Sequence, residues 1–171
     1  MPKAEGAAIL TRPATPADAS AMAAIYNEGI RDRVATFETR ERSPDEIARW
    51  FDGRHPIVVV ESGREVIAFA ATGPYRAREC YAGVAECSVY VAGARRGQGA
   101  GTLALQGLID AAAAAGFWKL LSRIFVENTA SRALVARAGF REVGVYRRHA
   151  RLDGAWRDVV IVERLLGEAD R

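Results

Sequence analysis

The chain predicts an α/β domain: a mixed, mostly antiparallel sheet of about seven strands flanked by about four helices. Three observations point there. Short runs rich in Val, Ile, Phe and Tyr end at Gly, Pro or Asp turns, amphipathic helical repeats alternate with them, and a glycine-rich turn joins a strand to a long helical repeat near mid-chain. With 171 residues, half of them apolar, the length suits one domain over residues 1–171, its core at about 8–166.

Ala8–Arg12 reads as the first strand. Thr15-Pro16-Ala17-Asp18 then opens a helix, with a capping hydroxyl, proline at the first helical position and an acid in the first turn. Met22, Ile25, Tyr26 and Ile30 give that helix one apolar stripe. Ser43-Pro44-Asp45-Glu46 is a capping box for a second helix closing near Gly53. Ile57–Glu61 and Val66–Thr72 form a hairpin through Ser62-Gly63-Arg64-Glu65, and Gly83–Val91 is the next strand. Leu105, Leu108, Ile109 and Ala112 recur at helical spacing before Gly116. Trp118–Val126 is strand-like, and Ala130–Ala138 is a short helix stopped by Gly139. Glu142–Arg151 and Arg157–Leu166 complete an antiparallel pair around Asp153-Gly154.

Composition excludes several classes. Lys and Arg number 24 against 21 Asp and Glu, leaving +3, too mild for a nucleic-acid or membrane surface. No apolar run reaches the roughly 18–20 residues of a membrane span, and MPKAEGAAILTRPATPAD lacks the apolar stretch of a leader. A cytoplasmic protein is expected. Cys80, Cys87, His55 and His149 are too few and too scattered for a zinc site, so no metal is expected. Both cysteines read as reduced core or strand residues. Trp50, Trp118 and Trp156 read as core or interface anchors.

The informative segment is Val89-Tyr90-Val91-Ala92-Gly93-Ala94-Arg95-Arg96-Gly97-Gln98-Gly99-Ala100-Gly101-Thr102. Alternating glycines let backbone N–H groups turn inward, and the helix start adds unpaired donors and the positive end of its dipole. That is a cradle for a diphosphate, with Arg95 and Arg96 adding charge. A dinucleotide fold would require G-x-G-x-x-G, but Thr102 holds the third glycine position and too little chain remains after Glu127.

Arg96-x-x-Gly99-x-Gly101 resembles the coenzyme A loop of the GNAT N-acetyltransferases. Asn128-Thr129-Ala130-Ser131 before Ala138-Gly139-Phe140 resembles that superfamily's second motif. The chain is similar over roughly residues 9–166 to the branch that acetylates phosphinothricin, arsinothricin or methionine sulfoximine. Ile25–Glu28, Ala35–Thr39, Gly73–Arg78, Ala85–Val91 and Leu152–Val159 carry that resemblance. It implies acetyl-CoA as cosubstrate, a small anionic amino acid as substrate, and a homodimer whose partner helps close the pocket. Arg96, Gly97, Gln98, Gly99, Ala100, Gly101 and Thr102 would hold the cofactor, with Asn128 and Ser131 beside it. The backbone of Val89, Tyr90 and Val91 would pair with the pantetheine arm where this strand splays from the next.

The remaining candidates follow from the chemistry. Acetyl transfer needs an unprotonated amine aimed at a thioester. Glu86 matches the family's general base, although an acid there also serves as an ion-pair support for an arginine. Glu86, Ser88 and Tyr90 share one strand face, Cys87, Val89 and Val91 the other. Many of these enzymes place a proton-donating tyrosine seven residues after the asparagine; here that residue is Val135, leaving Tyr90 and Tyr146 as candidates. Arg76 and Arg78, two residues apart in an extended segment, suit a substrate with two oxyanions. Tyr81, Ser122 and Arg123 are further substrate-binding candidates, while His149 reads as a surface residue. Rival readings are a GNAT enzyme for another amine (amino acid, polyamine or protein N-terminus) and a non-catalytic acyl-CoA sensor.

Overall fold

The computed structural model describes residues 8–171; the leader reading rests partly on residues 1–7, which lie outside them. In chain order come β1 (Ile9–Pro13), α1 (Ala19–Asp32), α2 (Pro44–Ala48), β2 (Ile57–Ser62), β3 (Glu65–Pro74) and β4 (Val84–Val91). Then follow α3 (Ala100–Ala114), β5 (Lys119–Phe125), α4 (Thr129–Arg137), β6 (Arg141–Leu152) and β7 (Ala155–Leu165). The strands form one sheet in the order β1-β2-β3-β4-β5-β7-β6. Every pairing is antiparallel except β4 with β5, which are joined by a crossover through α3.

Strand alternation builds two large cores, one on each face of the sheet, beside a small cluster of Phe125, Leu152 and Val159. Val58 and Val60 face α3, where Leu105, Leu108 and Ile109 pack with Ala68, Leu120 and Val160. Val59, between them, points the other way, to Met22, Ile25 and Ile30 of α1, Ile47 of α2, and Phe69. Burial on both faces explains why β2 reads as an unbroken apolar run. Leu105 and Leu108 expose no surface, so truncating either to alanine costs about 2–5 kcal/mol.

The first helix begins one turn later than its signal. Pro16–Asp18 is a 3-10 turn, closed by the Thr15 N–H donating to Asp18 Oδ2 at 2.8 Å. Arg12 grips both oxygens of Asp18 at 2.8 Å and holds its carboxyl below the usual range. The second helix stops at Ala48, not near Gly53. Asp52 captures the N–H groups of Arg54 and His55, each at 2.8 Å, and this local turn competes with helix continuation. Cys87 is buried, but Cys80 is exposed in a 3-10 turn, against the expectation that both sit in core or strand. Trp50 packs against the α1 core, whereas Trp118 and Trp156 remain 42% and 49% exposed. Among the described residues no helix is long and apolar enough to cross a membrane.

Candidate functional site

β4 and β5 run side by side only where Val84–Glu86 meets Lys119–Leu121. Beyond that rung they part. Val89, Tyr90 and Val91 stay paired to β3 through Ala70, Phe69 and Ala68, but among the described residues no strand covers their other edge. Three spaces lie along this splay: a cleft of about 460 Å³ beside α3 and α4, a throat of about 60 Å³, and an open chamber of about 780 Å³ over β5–β7. Ala35, Val89, Asn128 and Ser131 line both cleft and throat, and Arg123 lines both throat and chamber.

The cleft contains the glycine loop. Gly97 and Gly99 have φ of 73° and 89°, a region that penalises a side chain, and Gly99 caps α3. The first helical bond in this turn is Leu103 N–H to the Gly99 carbonyl, so the N–H groups of Ala100, Gly101 and Thr102 point out of the helix end without a backbone acceptor. This turn fits a diphosphate. Gly101 lets Val91 and Leu134 approach: a Cβ there would lie 3.3 Å from Val91 Cγ2. Of the seven loop candidates, Arg96, Gly97, Gly99, Ala100, Gly101 and Thr102 line the cleft; Gln98 instead turns its amide to the Ala94 carbonyl. Arg95 and Arg96 are not free charges, since they pair with Glu65 and Asp32, both at 2.7 Å. Asp32 and Arg137 also line the cleft; neither lay in a recognisable motif.

Asn128 caps α4 by accepting from the Ser131 N–H at 3.1 Å, and its amide donates to the Val34 carbonyl at 3.0 Å. It thereby pins the loop after α1 across the parted strands. Phe37 adds an edge-on contact to Phe125 at 4.7 Å. Val135 is buried on the throat wall and cannot donate a proton. Tyr90 is half-buried against Tyr26 and Phe69 and lines both cleft and throat, and burial pushes the pKa of its phenol up. Burial likewise pushes the Cys87 thiol up to about 12.

Glu86 lies on the last shared rung, on the face opposite Cys87. Arg123 donates to its Oε1 at 2.6 Å, which is the support role anticipated for an acid there. Arg76 and Arg123 line the chamber, but Arg78 does not: it begins a 3-10 turn at Glu79–Tyr81 that ends the extended run. Tyr81 stands behind the wall, edge-on to Tyr75 at 5.5 Å, and it is Tyr75 that faces the chamber. Ser122 and Arg123 point to opposite faces of β5, so Ser122 reaches only the throat. The opposite wall is Tyr146, Arg147, Arg148 and His149 of β6. His149 is exposed as expected, but it lines this chamber. Periodicity alone could not reveal that wall, because it is built by an interruption in strand pairing between Tyr146 and Ala150.

Comparison with known proteins agrees with this architecture. The acetyltransferase (GNAT) family model matches residues 22–140. A phosphinothricin N-acetyltransferase of Streptomyces coelicolor is 35% identical over 94% of this chain and 98% of its own length. An L-methionine sulfoximine/L-methionine sulfone acetyltransferase of Pseudomonas paraeruginosa is 33% identical over 89% of this chain and 91% of its own. The solved structure of a phosphinothricin acetyltransferase from Sinorhizobium meliloti in complex with AcCoA superposes with TM-score 0.87 at 31% identity, over 94% of this chain and 89% of that one. The parted strands, the glycine turn at the start of α3 and these matches agree: the chain belongs to the GNAT acetyltransferase family.

Proposed function

We propose that this protein transfers an acetyl group from acetyl-CoA to the α-amino group of a small anionic amino acid analogue of the phosphinothricin, arsinothricin or methionine sulfoximine type. Such a transfer would confer resistance to these compounds. The observation that carries the reading is that the throat between the parted strands shares wall residues both with the glycine-turn cleft and with a chamber walled by Arg76, Arg123, Arg147 and Arg148. A guanidinium-rich wall suits a small oxyanion and repels a polyamine. The named relatives support the substrate class.

When bound, acetyl-CoA supplies the acetyl group as a thioester. The free N–H groups of Ala100, Gly101 and Thr102 hold the diphosphate, with Arg96 exchanging Asp32 for it. The uncovered edge of Val89–Val91 aligns the pantetheine arm and polarises the acetyl carbonyl. Glu86 takes the proton from the incoming amine on Oε2, while Arg123 holds Oε1. Valine at position 135 has no proton to give and the raised pKa of Tyr90 makes it a weak acid, so no side chain is assigned to protonate the leaving thiolate; a thiol of pKa about 8.5 departs unaided.

The active form is read as a cytoplasmic homodimer. Val143, Val145, Tyr146 and Trp156, each about half exposed on the β6–β7 hairpin, support a partner surface beside the chamber. Thiol-release assays with phosphinothricin, arsinothricin, methionine sulfoximine and a polyamine test the proposal. Turnover of the anionic amino acids alone is expected. Saturable acetyl-CoA binding with no turnover of any amine would point instead to an acyl-CoA sensor.

A further inference from the structure

The register of β6 against β7 breaks between Tyr146, opposite Val159, and Ala150, opposite Arg157: three residues of β6 lie between pairs that are separated on β7 by one. Arg147, Arg148 and His149 therefore form a bulge. Arg148 takes φ of +47°, a conformation that costs a side-chain-bearing residue energy and that persists only where the surroundings enforce it. The enforcing contact is Asp158 of β7, whose Oδ1 accepts the Arg148 N–H at 2.7 Å. The same bulge brings the His149 ring against the Tyr146 ring at 4.9 Å. All four residues from Tyr146 to His149 line the chamber, across from Tyr75 and Arg76.

The charges of this wall are unmatched. Arg123 has Glu86, but among the described residues Arg76, Arg147 and Arg148 have no carboxylate partner. Arg76, on the segment after β3, is suited to one carboxylate. A bulge that places two guanidinium groups and an imidazole on the opposite wall is suited to a second, separate oxyanion.

We propose that the Arg147–His149 bulge is a second anion subsite that determines specificity, selecting amino acids whose distal group is a charged tetrahedral oxyanion over those whose distal group is neutral. Asp158 is its positioning residue. This deepens the proposed function and rests on its substrate class.

The test compares the intact enzyme with His149→Ala and Arg147→Ala on two substrates of similar length: phosphinothricin, with a distal phosphinate, and L-methionine sulfone, with a neutral one. Both variants alter exposed residues. The ratio of kcat/KM for phosphinothricin to that for methionine sulfone is expected to fall about tenfold or more, through KM. Asp158→Ala should lower the ratio similarly, and Asp158→Asn, which keeps an oxygen acceptor, should restore most of it. An unchanged ratio, or an equal loss on both substrates, overturns the subsite while leaving the proposed activity standing. If the intact enzyme acetylates neither, the substrate class itself is wrong and the subsite falls with it.

Discussion

Arg123 Nη2 and Glu86 Oε1 lie 2.6 Å apart on neighbouring strands, Glu86 on the last rung before β4 and β5 separate and Arg123 just beyond it. Their side chains are 45% and 33% exposed, so the pair adds little to stability. Its effect is orientation: it ties one Glu86 carboxylate oxygen to Arg123, the residue that lines both throat and chamber.

Glu86→Gln keeps the shape and a hydrogen-bond acceptor but removes the base. The acetylation rate should fall about 100-fold below the pKa of the substrate amine and recover as pH rises past it. A pH–rate profile for wild type and variant measures this. Coincident profiles would reduce Glu86 to an anchor for Arg123.

Arg76 and Arg78 should behave differently although they are two residues apart. Arg76→Ala removes a chamber charge and should raise KM for an anionic amino acid about tenfold or more. Arg78→Ala, at the start of the 3-10 turn, should stay within about threefold. Steady-state kinetics with both variants decides between this and the paired-arginine reading.

Gly99→Ala places a Cβ at φ of 89°. Nothing lies within 4 Å of that Cβ, so the penalty is backbone strain of about 1–2 kcal/mol. Calorimetric melting should show a drop of several degrees, and titration with acetyl-CoA should show weakened binding, because the helix-start donors lose their alignment.

The two cysteines should differ in reactivity. Cys80 is exposed, whereas Cys87 is buried with its thiol pushed up to about 12. Iodoacetamide at pH 8 followed by peptide mass analysis should find Cys80 alkylated and Cys87 untouched until the protein unfolds. The folded state holds the Cys87 proton more tightly than the unfolded chain. This contribution is therefore full below about pH 9, the unfolded range, and declines as pH rises from there towards 12.

Much of the fold is local and so was legible beforehand. Capping at Ser43, the glycine stop at Gly139 and the Asp153-Gly154 turn are decided by a few consecutive residues. The glycine turn before α3 is equally local, since its donors come from backbone already committed to helix. The helical signal that opens at Ser43 runs past the end of α2 at Ala48, because the Asp52 turn competes with it on the same scale. A strand pattern gives faces but not where a strand ends or what stands across from it, so it does not show that Arg78 and Tyr81 lie off the chamber wall or that Ser122 reaches the throat.

The amino-acid order by itself determined the periods, caps and turns, and with them the α/β class and the glycine turn at the start of α3, because each depends on contacts within a few residues. Only the tertiary structure decided where β4 and β5 part, that Glu86 meets Arg123, and that the β6 bulge lines the chamber. Those depend on strand neighbours 37 residues apart for Glu86 and Arg123 and on a register break held by Asp158. Such relationships exist only after the sheet has assembled and its pairing energies have been weighed against one another.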